Sequence, residues 1–149
     1  MNSKNKYHSL CYSFVEERIS SAQKAIASAQ AAANDETKSS AGDKYETGRA
    51  MMQLEIEKNT VQLGEALKLK QVLDQIDPEK KHEVVSLGSL VTTNEGKFYI
   101  SISAGQLTTS GEKFFAISAV SPIGKMLMGK RRNDSFEFNG RKYVVEEVL

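Results

Sequence analysis

Two hydrophobic periods divide the chain. From about Ser9 to Ala33, Tyr12, Val15, Ile19, Ala22, Ile26, Ala29 and Ala33 recur at alternating spacings of three and four, with no Gly or Pro between them. That is a heptad seam, and its later positions are mostly Ala, which gains little by burial but lets a second helix come close. A second stretch, about Tyr45 to Ile76, places Met52, Ile56, Leu63, Leu67 and Leu73 near one stripe. Gly48 and Gly64 are mild internal costs to that helix, and Asn59 and Lys70 interrupt a strict heptad. Pro78 stands just after it, so the helix is expected to run about 30 residues, roughly 45 Å. Ser39, Ser40, Gly42 and Asp43 cluster between the two stretches and supply turn chemistry. The pair is expected to fold back as an antiparallel hairpin with a projecting tip.

After Asp77-Pro78 the period falls to two. Short strands are expected in VVSLGSLVTTN, KFYISISA, FFAISAV, SFEFNG and KYVVEEV, separated by Asn-Glu-Gly, Thr-Ser-Gly and Asn-Gly turns. In SPIGKMLMGK, Ser121 caps a short helix, Pro122 takes its first position and Gly129 ends it. The predicted fold is α+β: an N-terminal antiparallel two-helix coiled-coil hairpin over 1–77, with its tip near 35–46, then a small, mostly antiparallel sheet domain with one short helix over 78–149.

Composition agrees with that division. The 149 residues hold one ordinary domain or two small ones. Aromatics make up only 7%, and they are unevenly placed. Before Glu79 stand Tyr7, Tyr12, Phe14 and Tyr45; after it come Phe98, Tyr99, Phe114, Phe115, Phe136, Phe138 and Tyr143. A slender hairpin has no thick core for such rings. Lys and Arg number 20 against 19 Asp and Glu, so whole-molecule charge makes no case for a general nucleic-acid or membrane-surface binder. Cys11 is the single cysteine and no apolar run approaches the roughly 18 residues of a bilayer span, so a soluble, reducing, cytoplasmic setting is expected.

Chemistry concentrates at two places. Asp35, Glu36, Asp43 and Glu46 gather at the hairpin tip. Carboxylates are the hard oxygen ligands magnesium prefers, and one or two of them with waters and substrate phosphates make a site. The same acids also suit an exposed turn, with Asp43 and Glu46 capping the second helix and meeting its dipole. Lys125, Lys130, Arg131 and Arg132 follow the short helix and suit either phosphate or an acidic protein surface, or simply a solvated turn. His8, His82 and Cys11 have no ligand spacing or activating partner and read as structural. No phosphate-binding or dinucleotide fingerprint is present.

A long hairpin with an acidic tip, followed by a sheet domain carrying SAVSPIGKMLMGK from Ser118 to Lys130, resembles the Gre family of bacterial transcript-cleavage factors. The likeness covers about Leu10 to Val148 in architecture and is specific at two places: the Ser121-Pro122-Ile123 turn with its helix and Gly129-Lys130, and the tip, where Ala41-Gly42-Asp43-Lys44-Tyr45 looks like a diverged form of the family's acidic motif. The resemblance implies an FKBP-like C-terminal domain that docks on RNA polymerase through Ser121, Pro122, Ile123, Lys125, Lys130 and Arg131, while the hairpin enters the secondary channel. There Asp43, Glu46 and Glu36, with Asp35, help hold a magnesium ion shared with the polymerase site, which cleaves the extruded 3′ end of backtracked RNA. The chain would then be an activator rather than an enzyme, with no cofactor of its own, no membrane partner, and monomeric when free. Where the family carries an Asp and a Glu three residues apart, anchoring on Tyr45 places Lys38 and Ala41, whereas a two-residue shift places Glu36 and Ser39. Two other readings stand beside it: a Gre-like channel regulator that binds without promoting cleavage, and a coiled-coil interaction or chaperone module with an FKBP-like domain.

Overall fold

A computed structural model describes the backbone of residues 4–37 and 42–149 and the side chains of residues 4–34 and 47–149. Helix α1 spans Lys4–Thr37 and α2 spans Gly42–Asp74. They pack antiparallel: Tyr12 Oη donates to Asp74 Oδ1 at 3.1 Å, and one turn along α1 Lys70 Nζ lies 3.7 Å from Glu16 Oε1, one turn back along α2. The chain forms two compact units, Val15–Lys70 and a second one built from Met1–Phe14 together with Gln71–Leu149.

In the helical unit the α1 stripe behaves as its spacing predicts. Val15, Ile19, Ala22 and Ala29 are buried, with Ile26 and Ala33 half-buried. On α2 the pattern is stricter than the sequence reading allowed. Met52, Ile56, Asn59, Leu63, Ala66, Lys70 and Leu73 are the inward positions, at unbroken spacings of four and three, while Leu67 is 43% exposed and lies off the stripe. Asn59 and Lys70 are therefore members of the seam, not breaks in it. Asn59 can sit there because its amide donates within its own helix, to the Glu55 carbonyl at 2.8 Å and Glu55 Oε1 at 3.2 Å. A polar seam residue fixes register at some cost in stability. Gly64 serves no packing purpose, since a Cβ there would meet nothing within 4 Å. Gly64→Ala is expected to stabilise the helical unit by about 1 kcal/mol, read as a later thermal loss of helical circular dichroism.

In the second unit, the strands are β1 Leu90–Thr93, β2 Gly96–Ile100, β3 Gly105–Thr109, β4 Glu112–Ile117, β5 Ser135–Phe138 and β6 Arg141–Val148. They form one six-stranded sheet in the order β3-β4-β2-β1-β6-β5, antiparallel except for β2 beside β4. Two differences from expectation have local causes. The strand expected from Val84 begins at Leu90, because Gly88 at φ +91° turns the chain and Val84 makes only an isolated bridge to Arg131. β3 was not expected at all: Leu107 is its only large apolar residue, so it shows no alternation, and its pairing with β4 makes it a strand. The β5–β6 hairpin turns at Asn139-Gly140, both at positive φ, as a two-residue primed turn requires.

Helix α3, Pro122–Leu127, lies on one sheet face, and Val85, Val91, Phe98, Ile100, Leu127, Phe136 and Val145 form the core there. The other face receives the first three turns of α1. Tyr7 meets Phe114 edge-on at 4.8 Å between ring centroids, and both are buried.

Candidate functional site

The Ser121 turn is built as its sequence predicts. Ser121 Oγ accepts the Gly124 N–H at 3.1 Å and donates to the Ser118 carbonyl at 2.7 Å, so one hydroxyl both caps α3 and ties it to the preceding loop. Pro122 occupies the first helical position and Gly129, at φ +82°, follows the last turn. Ile123 is half-buried against the core, whereas Pro122 and Lys125 are exposed. The basic loop after α3 is pinned by two backbone bonds, Val85 N–H to the Lys130 carbonyl at 2.9 Å and Gly129 N–H to the Val85 carbonyl at 2.9 Å, and by the Asp134 carboxylate, whose Oδ2 accepts the Arg131 N–H at 2.8 Å. Arg131 and Arg132 are left exposed, and Lys130 holds its ammonium 5.9 Å above the Phe136 ring. The result is an ordered segment with an apolar turn and a cationic loop. Such a surface suits an acidic partner.

The tip carboxylates of Asp35, Glu36, Asp43 and Glu46 lie outside the described residues, as do Lys38 and Ala41. Backbone at Asp35 and Glu36 belongs to α1 and at Asp43 and Glu46 to α2. Among the described residues, no three His, Cys, Asp or Glu side chains group as a metal site would require.

A polar seat beneath the start of α1 was missed by sequence reasoning. Lys4, Tyr7, His8 and Cys11 share one helical face and meet the sheet unit. Lys4, fully buried, donates through Nζ to the carbonyls of Lys80 and of Gly88, the latter at 3.1 Å. Tyr7 Oη donates to Glu112 Oε2 at 2.5 Å, and Lys97 donates to Glu112 Oε1 at 2.9 Å. Those two bonds hold the Glu112 carboxyl down at about 2. His8 Nδ1 is 2.8 Å from Tyr99 Oη, and Cys11 lies beside Ser101. Burial pushes the Cys11 thiol up to about 11, the wrong direction for a nucleophile. His82 Nδ1 is 2.7 Å from Ser89 Oγ, but Ser89 is fully buried and also accepts the Ser86 N–H, so the pair braces a loop. A signal for the seat was present: positions 4, 8, 11 and 15 extend the α1 stripe backward. A charged Lys4 hides it from any reading that scores only apolar residues.

This seat makes stability pH-dependent. Burial lowers the affinity of both imidazoles for a proton, reinforced at His82 by Lys4 and Lys80 and opposed at His8 by Asp74. An imidazole with a lowered folded pKa contributes stability above its ordinary value of 6.5 and loses it as pH falls. The melting temperature is expected to drop between pH 7.5 and 5.5, and the His8→Gln, His82→Gln double variant to flatten that slope. A second loss is expected below about pH 4.5, as Glu112 is protonated.

No protein-family model and no curated protein matches the chain. Among the described residues, no helix is long and apolar enough to cross a membrane.

Proposed function

We propose that this protein is a Gre-like regulator of RNA polymerase, acting in the cytoplasm, that docks through the Ser121–Arg131 segment and inserts its hairpin into the secondary channel to stimulate cleavage of backtracked RNA. The observation that carries this reading is one combination: a two-helix heptad hairpin whose turn region bears Asp35, Glu36, Asp43 and Glu46, joined to a sheet unit that presents a capped Ser121-Pro122-Ile123 turn beside a cationic loop. In this reading the tip carboxylates add oxygen donors to the polymerase's own magnesium, which activates water for phosphodiester hydrolysis. The chain supplies no reaction centre of its own. Lys125, Lys130 and Arg131 steer the sheet unit onto an acidic polymerase surface, an attraction that weakens with salt.

Adding the protein to a stalled, backtracked polymerase complex should shorten the RNA in a magnesium-dependent way, with Asp43→Ala and Glu36→Ala reducing the rate at least tenfold. No shortening at saturating binding would sink the cleavage claim. Lys38 and Ala41, standing where one alignment expects acids, favour a second reading: the same docking without hydrolysis. Competition with an authentic cleavage factor, in the absence of RNA shortening, is its expected result.

A further inference from the structure

The two faces of the sheet differ in chemistry. Successive residues of a strand point to opposite sides, so register assigns every strand side chain to a face. Tyr99 and Phe114 lie on the side closed by α1, with Glu112. Phe98, Phe115, Phe136, Phe138 and Tyr143 lie on the other, the face that also carries α3 and the core around Leu127. There the rings make one continuous row across four strands. Phe115 stacks on Phe98 at 5.5 Å between centroids, Phe98 meets Tyr143 at 6.3 Å, Tyr143 stacks on Phe136 at 5.1 Å and 2° between planes, and Phe138 meets Tyr143 edge-on at 6.3 Å. Phe98 and Phe136 are buried, but Phe115, Phe138 and Tyr143 are only half-buried. Part of each of those three rings therefore reaches solvent, on β4, β6 and β5, while the rest packs against the core.

Charge on this face has one dominant sign. Lys113 stands two residues before Phe115, Arg141 stands two before Tyr143 and opposite Phe138, and Lys130 holds its ammonium over Phe136. Of the carboxylates, Glu112 and Glu137 alternate onto the opposite side, Glu147 pairs with Thr92 on that side, Glu146 falls in the β-bulge of β6, and Asp134, two residues before Phe136, accepts the Arg131 N–H. Glu95, in the β1–β2 turn, meets Arg141 at 3.4 Å. A purely apolar partner would have no use for cations spaced along the row. Flat rings bordered by ammonium and guanidinium groups are the chemistry that takes bases by stacking and the connecting phosphates by charge.

We propose that this sheet face binds single-stranded nucleic acid, with bases stacked on Phe115, Tyr143 and Phe138 and phosphates met by Lys113, Arg141 and Lys130. Recognition by stacking and charge tolerates every base, so sequence preference is weak. It shares Lys130 with the docking surface of the polymerase reading, but none of the tip acids takes part and the isolated protein suffices to test it.

Fluorescence anisotropy of a labelled uridine decamer, titrated with the full chain at 50 mM salt, tests it. Saturable binding is expected, weakening as salt rises, since each phosphate contact releases counterions. Phe115→Leu with Phe138→Leu should weaken binding about tenfold or more by removing stacking surface. Lys113→Gln with Arg141→Gln, both surface changes that leave the core intact, should weaken it and flatten the salt dependence. Lys24→Gln with Lys68→Gln, matched in charge but placed on the hairpin, should change nothing. The proposal is overturned by absence of saturable binding, by equal loss in the hairpin control, by leucine variants that fold and bind as well as the parent, or by polyglutamate binding as tightly as RNA. Because no polymerase is present, these outcomes leave the transcript-cleavage experiment untouched.

Discussion

Gly124→Ala is expected to destabilise the sheet unit by about 2–4 kcal/mol, a large effect for one methyl group. A Cβ at this position would lie 2.1 Å from the Ser118 carbonyl oxygen and 2.8 Å from Ser121 Oγ. Neither contact can relax cheaply, because the first is backbone and the second is the hydroxyl that caps α3. To admit the methyl group, the helix must lift from the Ser118 loop, which breaks the Ser121 bonds to Gly124 and Ser118 together. Leu127, buried in the core at the end of the same short helix, would shift with it. Denaturant unfolding followed by circular dichroism measures the loss. Ser121→Ala should cost only about 1 kcal/mol, since it removes the cap without the clash. If the two variants were equally stable, the steric account would be wrong. If the turn also docks on polymerase, Gly124→Ala should lose docking with stability, whereas Lys125→Glu should lose docking alone.

Tyr7→Ala is the second large effect, about 3–5 kcal/mol. The ring is 1% exposed, lies edge-on against buried Phe114, and ends in a hydroxyl bonded to Glu112. Truncation would leave a cavity and take one donor from the Glu112 carboxylate, which keeps its pairing with Lys97. Tyr7→Phe separates the two terms: it keeps the ring and should cost about 1–2 kcal/mol. The difference between the variants isolates packing from hydrogen bonding. A cost for Tyr7→Ala below about 1 kcal/mol would mean that the start of α1 does not belong to the sheet unit's cooperative fold. The same measurement bears on how this chain can be divided. Cutting at Asp77-Pro78 would expose Tyr99, Phe114 and Ser101, which the first turns of α1 cover, so an isolated 78–149 fragment should aggregate or unfold.

Much of the fold was legible because it depends on neighbours in sequence. A three-four spacing identifies the α1 face whatever it packs against, so Val15, Ile19, Ala22 and Ala29 were readable before any partner was known. Ser121, Pro122 and Gly129 mark α3 through caps that act over three or four residues, and Asn139-Gly140 marks its hairpin through backbone conformations those residues tolerate. The candidate site was legible only as composition. Acids near a turn and cations after a short helix were visible, but the relative placement of side chains is geometry that spacing does not encode.

Tertiary structure decided whatever required a distant partner. Lys4 can be buried because the carbonyls of Lys80 and Gly88 meet its ammonium, and those lie 76 and 84 positions away. Asn59 and Lys70 look like interruptions until a seam with a satisfied amide and a Glu16 partner is seen. β3 exists because β4 supplies its hydrogen bonds. The aromatic excess after Glu79 was plain in the sequence as a count, but strand order alone turned it into a row across β4, β2, β6 and β5, with cations on the same face. Periodicity by itself settled which local elements form, since caps, turns and stripes act within a few residues. Burial of polar groups and the chemistry of a shared face came only with long-range packing, because each depends on what the fold places opposite.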